Sequence, residues 1–95
     1  MKELSEHFIG RGEVRGFEFK QIEKTDNGYI YSVTGEGVTH YEVFKRRENT
    51  QFDCVSYPRS SSFGVWAWSI NTLEKAKERL ESFNEVKDGK IHTDV

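Results

Sequence analysis

The dipeptide Asn27-Gly28 lies between two runs of alternating residues, and no other feature restricts the local fold of this chain as firmly. Asn-Gly is typical of β-hairpins because both central residues of a type I′ turn need positive φ. In the run before the turn, Phe17 and Phe19 share one face of the predicted strand 13–23. Ile22 breaks that alternation, which predicts a bulge or a twist beside it, near Gln21.

More strands are predicted after this turn, separated by short polar connections at 35–37 and 48–50. The only proline, Pro58, ends the predicted strand 51–57. These predicted strands cover residues 29–33, 39–47 and 51–57. With strand 13–23 they form an antiparallel meander of four strands, and residues 65–70 add a short fifth strand.

Residues 72–83 are predicted to form an amphipathic helix, with Asn71 as its N-cap and Glu74 in the capping-box position. The apolar residues recur at spacings of three and four, at Leu73, Ala76, Leu80 and Phe83. We therefore predict an α+β fold, in which an antiparallel sheet of four to five strands carries one C-terminal helix on one face. The other face must be solvated, covered by terminal segments or bound to a partner, which includes a second copy of the chain.

The length of 95 residues predicts one domain over 1–95, with an ordered core at 13–83 and a flexible polar tail at 84–95. A net charge of −2 argues against the strongly basic surface of a non-specific DNA-binding domain. No apolar stretch is long enough to span a membrane, and residues 1–7 lack the apolar region of a signal peptide. We therefore expect a cytoplasmic protein without membrane contact.

Candidate catalytic and metal-binding residues are few. Cys54 is the only cysteine, so it has no partner for an internal disulfide, and it is expected on the strand next to His40. A Cys–His pair can activate a thiolate, but no recognisable motif surrounds Cys54. Gly10-Arg11-Gly12 leads into a strand rather than a helix, unlike a phosphate-binding loop. Because metal-ligand spacings are also missing, the sequence predicts no catalytic residue, metal or cofactor.

Basic and aromatic residues alternate along the predicted strand region 41–59, which includes the run 45–47. Such a surface can hold single-stranded nucleic acid by charge and base stacking. Basic residues at a strand end can equally protect a sheet edge from aggregation. The basic and acidic side chains of segment 39–59 also nearly cancel, which leaves a net charge of only about +1. Nucleic-acid binding is therefore the alternative function.

The tract 60–73 contains no charged residue and holds both tryptophans. Alternation predicts that Trp66, Trp68 and Ile70 share a face, with at least one tryptophan in the core under the helix. Since Trp, Tyr and Arg are common at interface hot spots, the loop 57–63 is a predicted contact element. The candidate binding residues are Lys45, Arg46, Arg47, Tyr57, Arg59, Phe63 and Trp66.

These observations favour a small non-enzymatic interaction domain that binds a protein partner or forms a homodimer through the sheet face opposite the helix. Segments 40–45, 63–68 and 73–76, together with Phe83, resemble a class of small uncharacterised bacterial and phage proteins with a Phe-Gly-x-Trp-Ala-Trp box. The resemblance covers about residues 13–83 and includes no known activity. It implies a non-secreted accessory protein from a bacterial or mobile-element context.

Overall fold

A computed structural model describes the main chain of residues 1–92 and the side chains of residues 1–12 and 14–84, and it shows an α+β fold. The strands and the helix are β1 (His7–Ile9), β2 (Glu18–Lys24), β3 (Gly28–Gly35), β4 (Val38–Lys45), β5 (Glu48–Asn49), β6 (Cys54–Val55), β7 (Ala67–Ile70) and α1 (Leu73–His92). Five strands form one antiparallel sheet in the order β1-β2-β3-β4-β7, and β5 pairs with β6 in a separate small hairpin. The predicted fold class, antiparallel sheet and C-terminal helix are confirmed.

The hairpin between β2 and β3 is present, but its turn is not the predicted type I′. The Thr25 N–H donates to the Gly28 carbonyl at 2.9 Å, and neither Asn27 nor Gly28 has a positive φ. Gly28 instead belongs to β3, where a Cβ atom would lie 2.5 Å from the Phe44 carbonyl oxygen. This glycine is therefore required by close packing rather than by turn geometry.

Two other local predictions can be compared with the backbone. The register of β2 against β3 shifts between Gln21 and Glu23, which confirms the predicted bulge at this point. In the next connection Glu36 and Gly37 have φ values of 54° and 77°. The pair of positive φ angles that a type I′ turn needs therefore occurs between β3 and β4.

The predicted fourth strand, 51–57, is wrong. Within this range only Cys54–Val55 form a strand, and they pair with Glu48–Asn49 rather than with β4. The Asn49 side chain accepts the main-chain N–H groups of Gln51 and Phe52, which folds the chain back on itself after β5. The strand that pairs with β4 is instead β7, the predicted fifth strand. This edge of the sheet is therefore formed by a segment that is more distant in sequence.

The helix begins at Leu73 and packs on β3, β4 and β7. Its cap is Thr72 rather than Asn71, because the Thr72 hydroxyl accepts the Lys75 N–H at 3.2 Å. The helix continues to His92, past the predicted end at Phe83. The flexibility of residues 84–95 stays a prediction, and 93–95 lie outside the described residues. No helix within 1–92 is long and apolar enough to span a membrane.

The two faces of the sheet carry different side chains. On the helix face, Ile30 and Val43 pack against the predicted helix stripe. On the aromatic face, the inward side chains are Phe8, Phe19, Tyr29, Tyr31, Val33 and Phe44. Two segments of the chain lie over the aromatic face, the strap (residues 1–5) and the covering loop (residues 54–63), and they contribute Leu4, Val55, Tyr57 and Phe63 to its core. This face is therefore covered in part by a terminal segment, the strap, and in part by the covering loop, which is internal to the chain.

Candidate functional site

The strap and the covering loop leave a groove of about 590 Å³ over the aromatic face, between residues 8–14 and 57–63. Its apolar lining consists of Phe8, Ile9, Val14, Phe19, Pro58 and Phe63. Its polar lining includes Arg11, Glu42, Tyr57, Arg59 and Ser60. A concave apolar site with few polar groups is typical of ligand pockets, whose volumes run from roughly 300 to 1,000 Å³.

One wall of the groove is formed by the connection from β1 to β2. The Gly10 N–H donates to the Phe17 carbonyl at 2.8 Å and ends the pairing of the two strands. Residues 11–14 then fold back so closely that a Cβ atom on Gly10 would lie 2.3 Å from the Val14 carbonyl oxygen. Because a glycine occupies this position, Arg11 and Val14 can lie at the groove.

The opposite wall is the covering loop, which a short helical turn at Ser60–Ser62 shapes. The buried Ser62 hydroxyl accepts the Arg59 N–H at 3.2 Å, and the Ser62 carbonyl accepts the Trp66 N–H at 3.0 Å. Pro58 is buried beside this turn. These contacts make the serine turn compact and hold the main chain of Arg59 in place. The loop thereby presents Phe63 to the groove.

A half-buried polar pair lies at the floor of the groove. The Tyr57 hydroxyl donates to Glu42 Oε1 at 2.5 Å, and His40 Nε2 lies 3.5 Å from Glu42 Oε2. Burial, and then the nearby Glu42 charge, raise the pKa of the Tyr57 phenol far above its usual 10.0. The phenol therefore stays protonated at neutral pH and remains a hydrogen-bond donor to the carboxylate.

The rim of the groove is basic. Arg11 and Arg59 are both exposed, and neither forms an ion pair with any side chain that the structure describes. Among the lining side chains that the structure describes, Glu42 is the only carboxylate, and it is 14% exposed and already hydrogen-bonded to Tyr57. An anionic group at the rim would therefore meet two guanidinium groups that have no partner among the described residues.

The structure brings together three of the seven predicted binding residues. Tyr57, Arg59 and Phe63 all line the groove, although the Tyr57 hydroxyl faces Glu42 at its floor. The predicted contact loop 57–63 is thus one wall of the groove.

Arg46 belongs to a network that holds the strap. Its guanidinium donates to both Glu3 carboxylate oxygens, at 2.9 and 2.8 Å, to Glu48 at 3.1 Å and to the Tyr29 hydroxyl at 2.6 Å. The hydrogen bonds from Arg46 are the main cause that lowers the pKa of Glu3 to about 2. Arg46 is therefore a structural residue rather than part of an open basic surface.

The other predicted basic and aromatic residues lie apart from the groove lining. Lys45 lies on the helix face, 5.7 Å from the centre of the Phe83 ring, and the Arg47 guanidinium lies 5.1 Å from the centre of Trp66. Trp66 packs with the aromatic-face cluster, whereas Trp68 packs under the helix. The prediction that Trp66 and Trp68 share a face is wrong because β7 begins only at Ala67, while that of a tryptophan under the helix is confirmed.

The predicted proximity of Cys54 and His40 is also wrong. Cys54 lies in β6, where it pairs with Asn49 and forms a bridge with Lys2. His40 lies in β4, opposite Val33. The hypothesis of a Cys–His pair rested on neighbouring strands, and β6 is not a neighbour of β4 in the sheet.

The lining residues outside the loop 57–63 were not predicted as site residues: Phe8, Ile9, Gly10, Arg11, Val14, Phe19 and Glu42. Glu42 carried a usable signal, because it is a carboxylate on the same strand face as His40, opposite the aromatic residues of β3. The only local signal at Arg11 was the pair of glycines on either side of it, and these were interpreted as a lead into a strand of the sheet. Nothing local to Phe8 or Val14 indicates a groove.

Comparison of the chain with protein-family models, with curated proteins and with solved structures finds no match. The resemblance to small bacterial and phage proteins stays an expectation from the sequence.

Proposed function

We propose that this chain is a non-enzymatic protein-binding domain and that its contact site is the groove between residues 8–14 and 57–63. The observation that carries the proposal is the pairing of an open apolar groove with two guanidinium groups, Arg11 and Arg59, which have no ion-pair partner among the side chains that the structure describes. The matching partner is a protein segment that presents one large apolar side chain beside a carboxylate.

Exposed apolar side chains at the groove support a macromolecular partner. Val14 lines the groove and keeps 42% of its surface accessible to solvent. Apolar side chains that are clustered around a concave site mark interaction surfaces more often than single exposed residues do. Contact with a partner would remove this apolar surface from water, which favours binding by roughly 25 cal/mol per Å² before the costs of association.

A second copy of the chain is a weaker candidate for the partner. Self-association was expected through an open sheet face, and the strap and the covering loop fill that face with Leu4, Val55 and Tyr57. The area that two copies would have buried together is therefore already buried within one chain. Sedimentation equilibrium of the chain alone should give a mass near 11.1 kDa over a wide concentration range.

The polar pair at the groove floor supports binding rather than catalysis. Glu42 accepts the Tyr57 hydroxyl, and the raised pKa of Tyr57 keeps that proton in place. A general base would need a free carboxylate and a pKa near the working pH. Here the pair fixes the covering loop onto the sheet, and this preorganises the groove for a partner.

Binding of single-stranded nucleic acid is the second candidate, and it rests on Arg47 and Trp66. Their stacked arrangement lies beside a shallow pocket that includes Asn49 and Gln51. Stacking on an aromatic ring with nearby positive charge is a known mode of binding to single strands. It predicts an affinity for an oligothymidine that falls steeply as salt rises from about 50 to about 200 mM, and no binding at about 50 mM would exclude it.

The proposed function is tested by selection of heptapeptides from a displayed random library on the immobilised chain. Peptides enriched on the chain should combine an aromatic or large aliphatic residue with Asp or Glu. Their affinity should fall about tenfold or more with Arg59→Glu, which reverses one rim charge. The matched control is Arg15→Glu, an exposed arginine that does not line the groove.

Two results contradict the proposal. One is a selection that enriches no peptide above the level of an uncoated surface. The other is a set of enriched peptides whose affinity falls equally with Arg59→Glu and with Arg15→Glu, since a general loss of positive charge would then explain the binding.

A further inference from the structure

The groove borders one free edge of the main sheet. β1 is the terminal strand, and it pairs through only one side, with β2. At the other end of the sheet, the Gly64 N–H donates to the Ala67 carbonyl at 2.8 Å, and Phe63 forms a bridge with Ala67. Residues 63–64 thus partly cover the β7 edge. Among the described residues, β1 is the edge that lies next to the groove.

The hydrogen-bond register of β1 identifies which of its main-chain groups face outward. The Gln21 N–H donates to the Glu6 carbonyl and the Gly10 N–H donates to the Phe17 carbonyl, both at 2.8 Å, and Phe8 lies opposite Phe19. In an antiparallel ladder, hydrogen-bonded and non-hydrogen-bonded pairs alternate. Phe8 therefore directs its N–H and C=O groups toward β2.

By the same alternation, the main-chain groups of His7 and Ile9 face away from β2. No main-chain hydrogen bond joins either residue to another loop or turn of the described chain. An added strand could therefore pair with these two residues without breaking a main-chain hydrogen bond of β1. Such pairing is the general mode by which extended peptides join an open sheet edge.

Side-chain direction connects this edge with the groove. The Phe8 side chain lies on the aromatic face, stacked on Phe19 with ring centres 4.7 Å apart, and it lines the groove. A residue directly opposite Phe8 on an added strand would direct its side chain to the same face. Its side chain would therefore lie at the groove, beside the Phe8 ring.

The positive charges of Arg11 and Arg59 define where an acidic residue of the partner segment should lie. Residues two apart in a strand point to the same face and are separated by roughly 6.6 Å. Arg11 follows β1 directly after Gly10, and Arg59 lies across the groove from it. A carboxylate two positions from the apolar residue, at the Gly10 end of β1, would therefore approach the basic rim.

We propose that the partner is an extended protein segment that adds to β1 as a sixth strand of the sheet. Its central apolar side chain occupies the groove, and an acidic residue two positions away pairs with Arg11 and Arg59. This inference rests on the proposed function, because it specifies the conformation and the sequence pattern of the segment that binds in the groove.

The experiment uses the full chain and the synthetic peptide acetyl-Thr-Glu-Thr-Phe-Thr-Glu-Thr-amide. A glutamate stands two positions from the phenylalanine on each side, so the peptide meets the rim in either strand direction. Hydrogen exchange of single amides is followed by NMR with and without saturating peptide. Exchange at His7 and Ile9 should slow by about tenfold or more, because their N–H groups become bonded.

Phe8 supplies the internal control. Its N–H faces β2 in the free chain, so its exchange should change far less than that of His7 and Ile9. A second control is a set of peptides N-methylated at one amide each. Affinity should fall about tenfold or more only for methyl groups at alternate residues, since every second N–H of an added strand faces β1.

Each other outcome overturns the inference in a distinguishable way. If the peptide binds and Arg59→Glu weakens it, but exchange at His7 and Ile9 is unchanged, strand addition is wrong and the groove stays a binding site. The same holds if peptides from the library bind the groove and this one does not bind at about 1 mM. If neither kind of peptide binds, both proposals fail. If His7 and Ile9 become protected in the free chain as its concentration and mass rise, the occupant of the edge is a second copy.

Discussion

The two faces of the sheet are covered in different ways. One continuous helix covers the helix face, where Ala76, Leu80 and Phe83 pack on Ile30 and Val43. The aromatic face is covered by two short segments without regular structure over most of their length, the strap and the covering loop.

The difference extends to the forces that hold each cover. The helix packs through apolar side chains along one stripe. The strap and the covering loop are held by tyrosine hydroxyls as well: Tyr29 donates to Glu3 at 3.0 Å, Tyr31 to the Ser5 carbonyl at 2.6 Å and Tyr57 to Glu42 at 2.5 Å. The covering loop and the connection from β1 to β2 leave a space over this face, and that space is the groove.

The largest expected effect comes from Phe44→Ala, at the centre of the aromatic face. Phe44 is fully buried and its ring centre lies 4.9 Å from that of Tyr57. Removing a buried phenylalanine typically lowers the free energy of unfolding by about 3–5 kcal/mol. Urea denaturation should show this loss, and peptide affinity at the groove should fall with it because Tyr57 loses its support. A loss below about 1 kcal/mol would contradict the assigned core.

A smaller loss separates the two faces. Leu80→Ala removes a buried side chain on the helix face and should lower the free energy of unfolding by about 2–4 kcal/mol. Under conditions where this variant is still folded, groove-binding peptides should bind it as they bind the natural chain. A peptide affinity that fell as far as in Phe44→Ala would mean that the groove depends on the helix.

Tyr57→Phe tests the polar anchor of the covering loop. It leaves Glu42 without its hydroxyl donor at a site that is 14% exposed, which should cost about 1–3 kcal/mol. The raised pKa of Tyr57 means that, above pH 10.0, the unfolded chain loses a proton that the folded chain keeps. Stability should therefore fall as pH rises above that value, and fall less steeply in Tyr57→Phe. Equal slopes in urea denaturation at pH 9 and above would contradict the assignment.

The smallest effect is expected from Glu3→Gln in the strap. The pKa of Glu3 is lowered from 4.5 to about 2, so its contribution to stability is present above pH 4.5 and is lost as pH falls toward 2. Because the side chain is 40% exposed, solvent screening keeps this contribution modest. Thermal melting in this pH range should depend less on pH in the variant. An unchanged pH dependence would mean that the Arg46 contact does not hold in solution.

Predictions from the sequence succeeded where the signal is local. The β2–β3 hairpin, the bulge at Ile22 and the helix stripe each depend on spacings of a few residues, which the sequence displays directly. The prediction of a type I′ turn was wrong because packing, rather than turn geometry, requires Gly28. A Cβ atom at this position would lie against Phe44 and Phe83.

The remaining features depend on segments that are distant in sequence. Glu3 and Arg46 are 43 residues apart, and nothing near either residue indicates that they meet. The groove likewise combines residues 8–14 with the loop 57–63. Only the second wall was predicted, since it combines Tyr57, Arg59 and Phe63 in one short stretch, whereas the first wall depends on how β1 joins the sheet.

The most direct test of the groove as the binding site is an NMR titration of the chain with a peptide enriched in the selection. Resonances of Phe8, Tyr57 and Phe63, which lie at the groove, should shift progressively and saturate together. The indole N–H resonance of Trp68, under the helix on the opposite face, should stay in place. Saturable shifts at Trp68 with none at the groove residues would contradict the account.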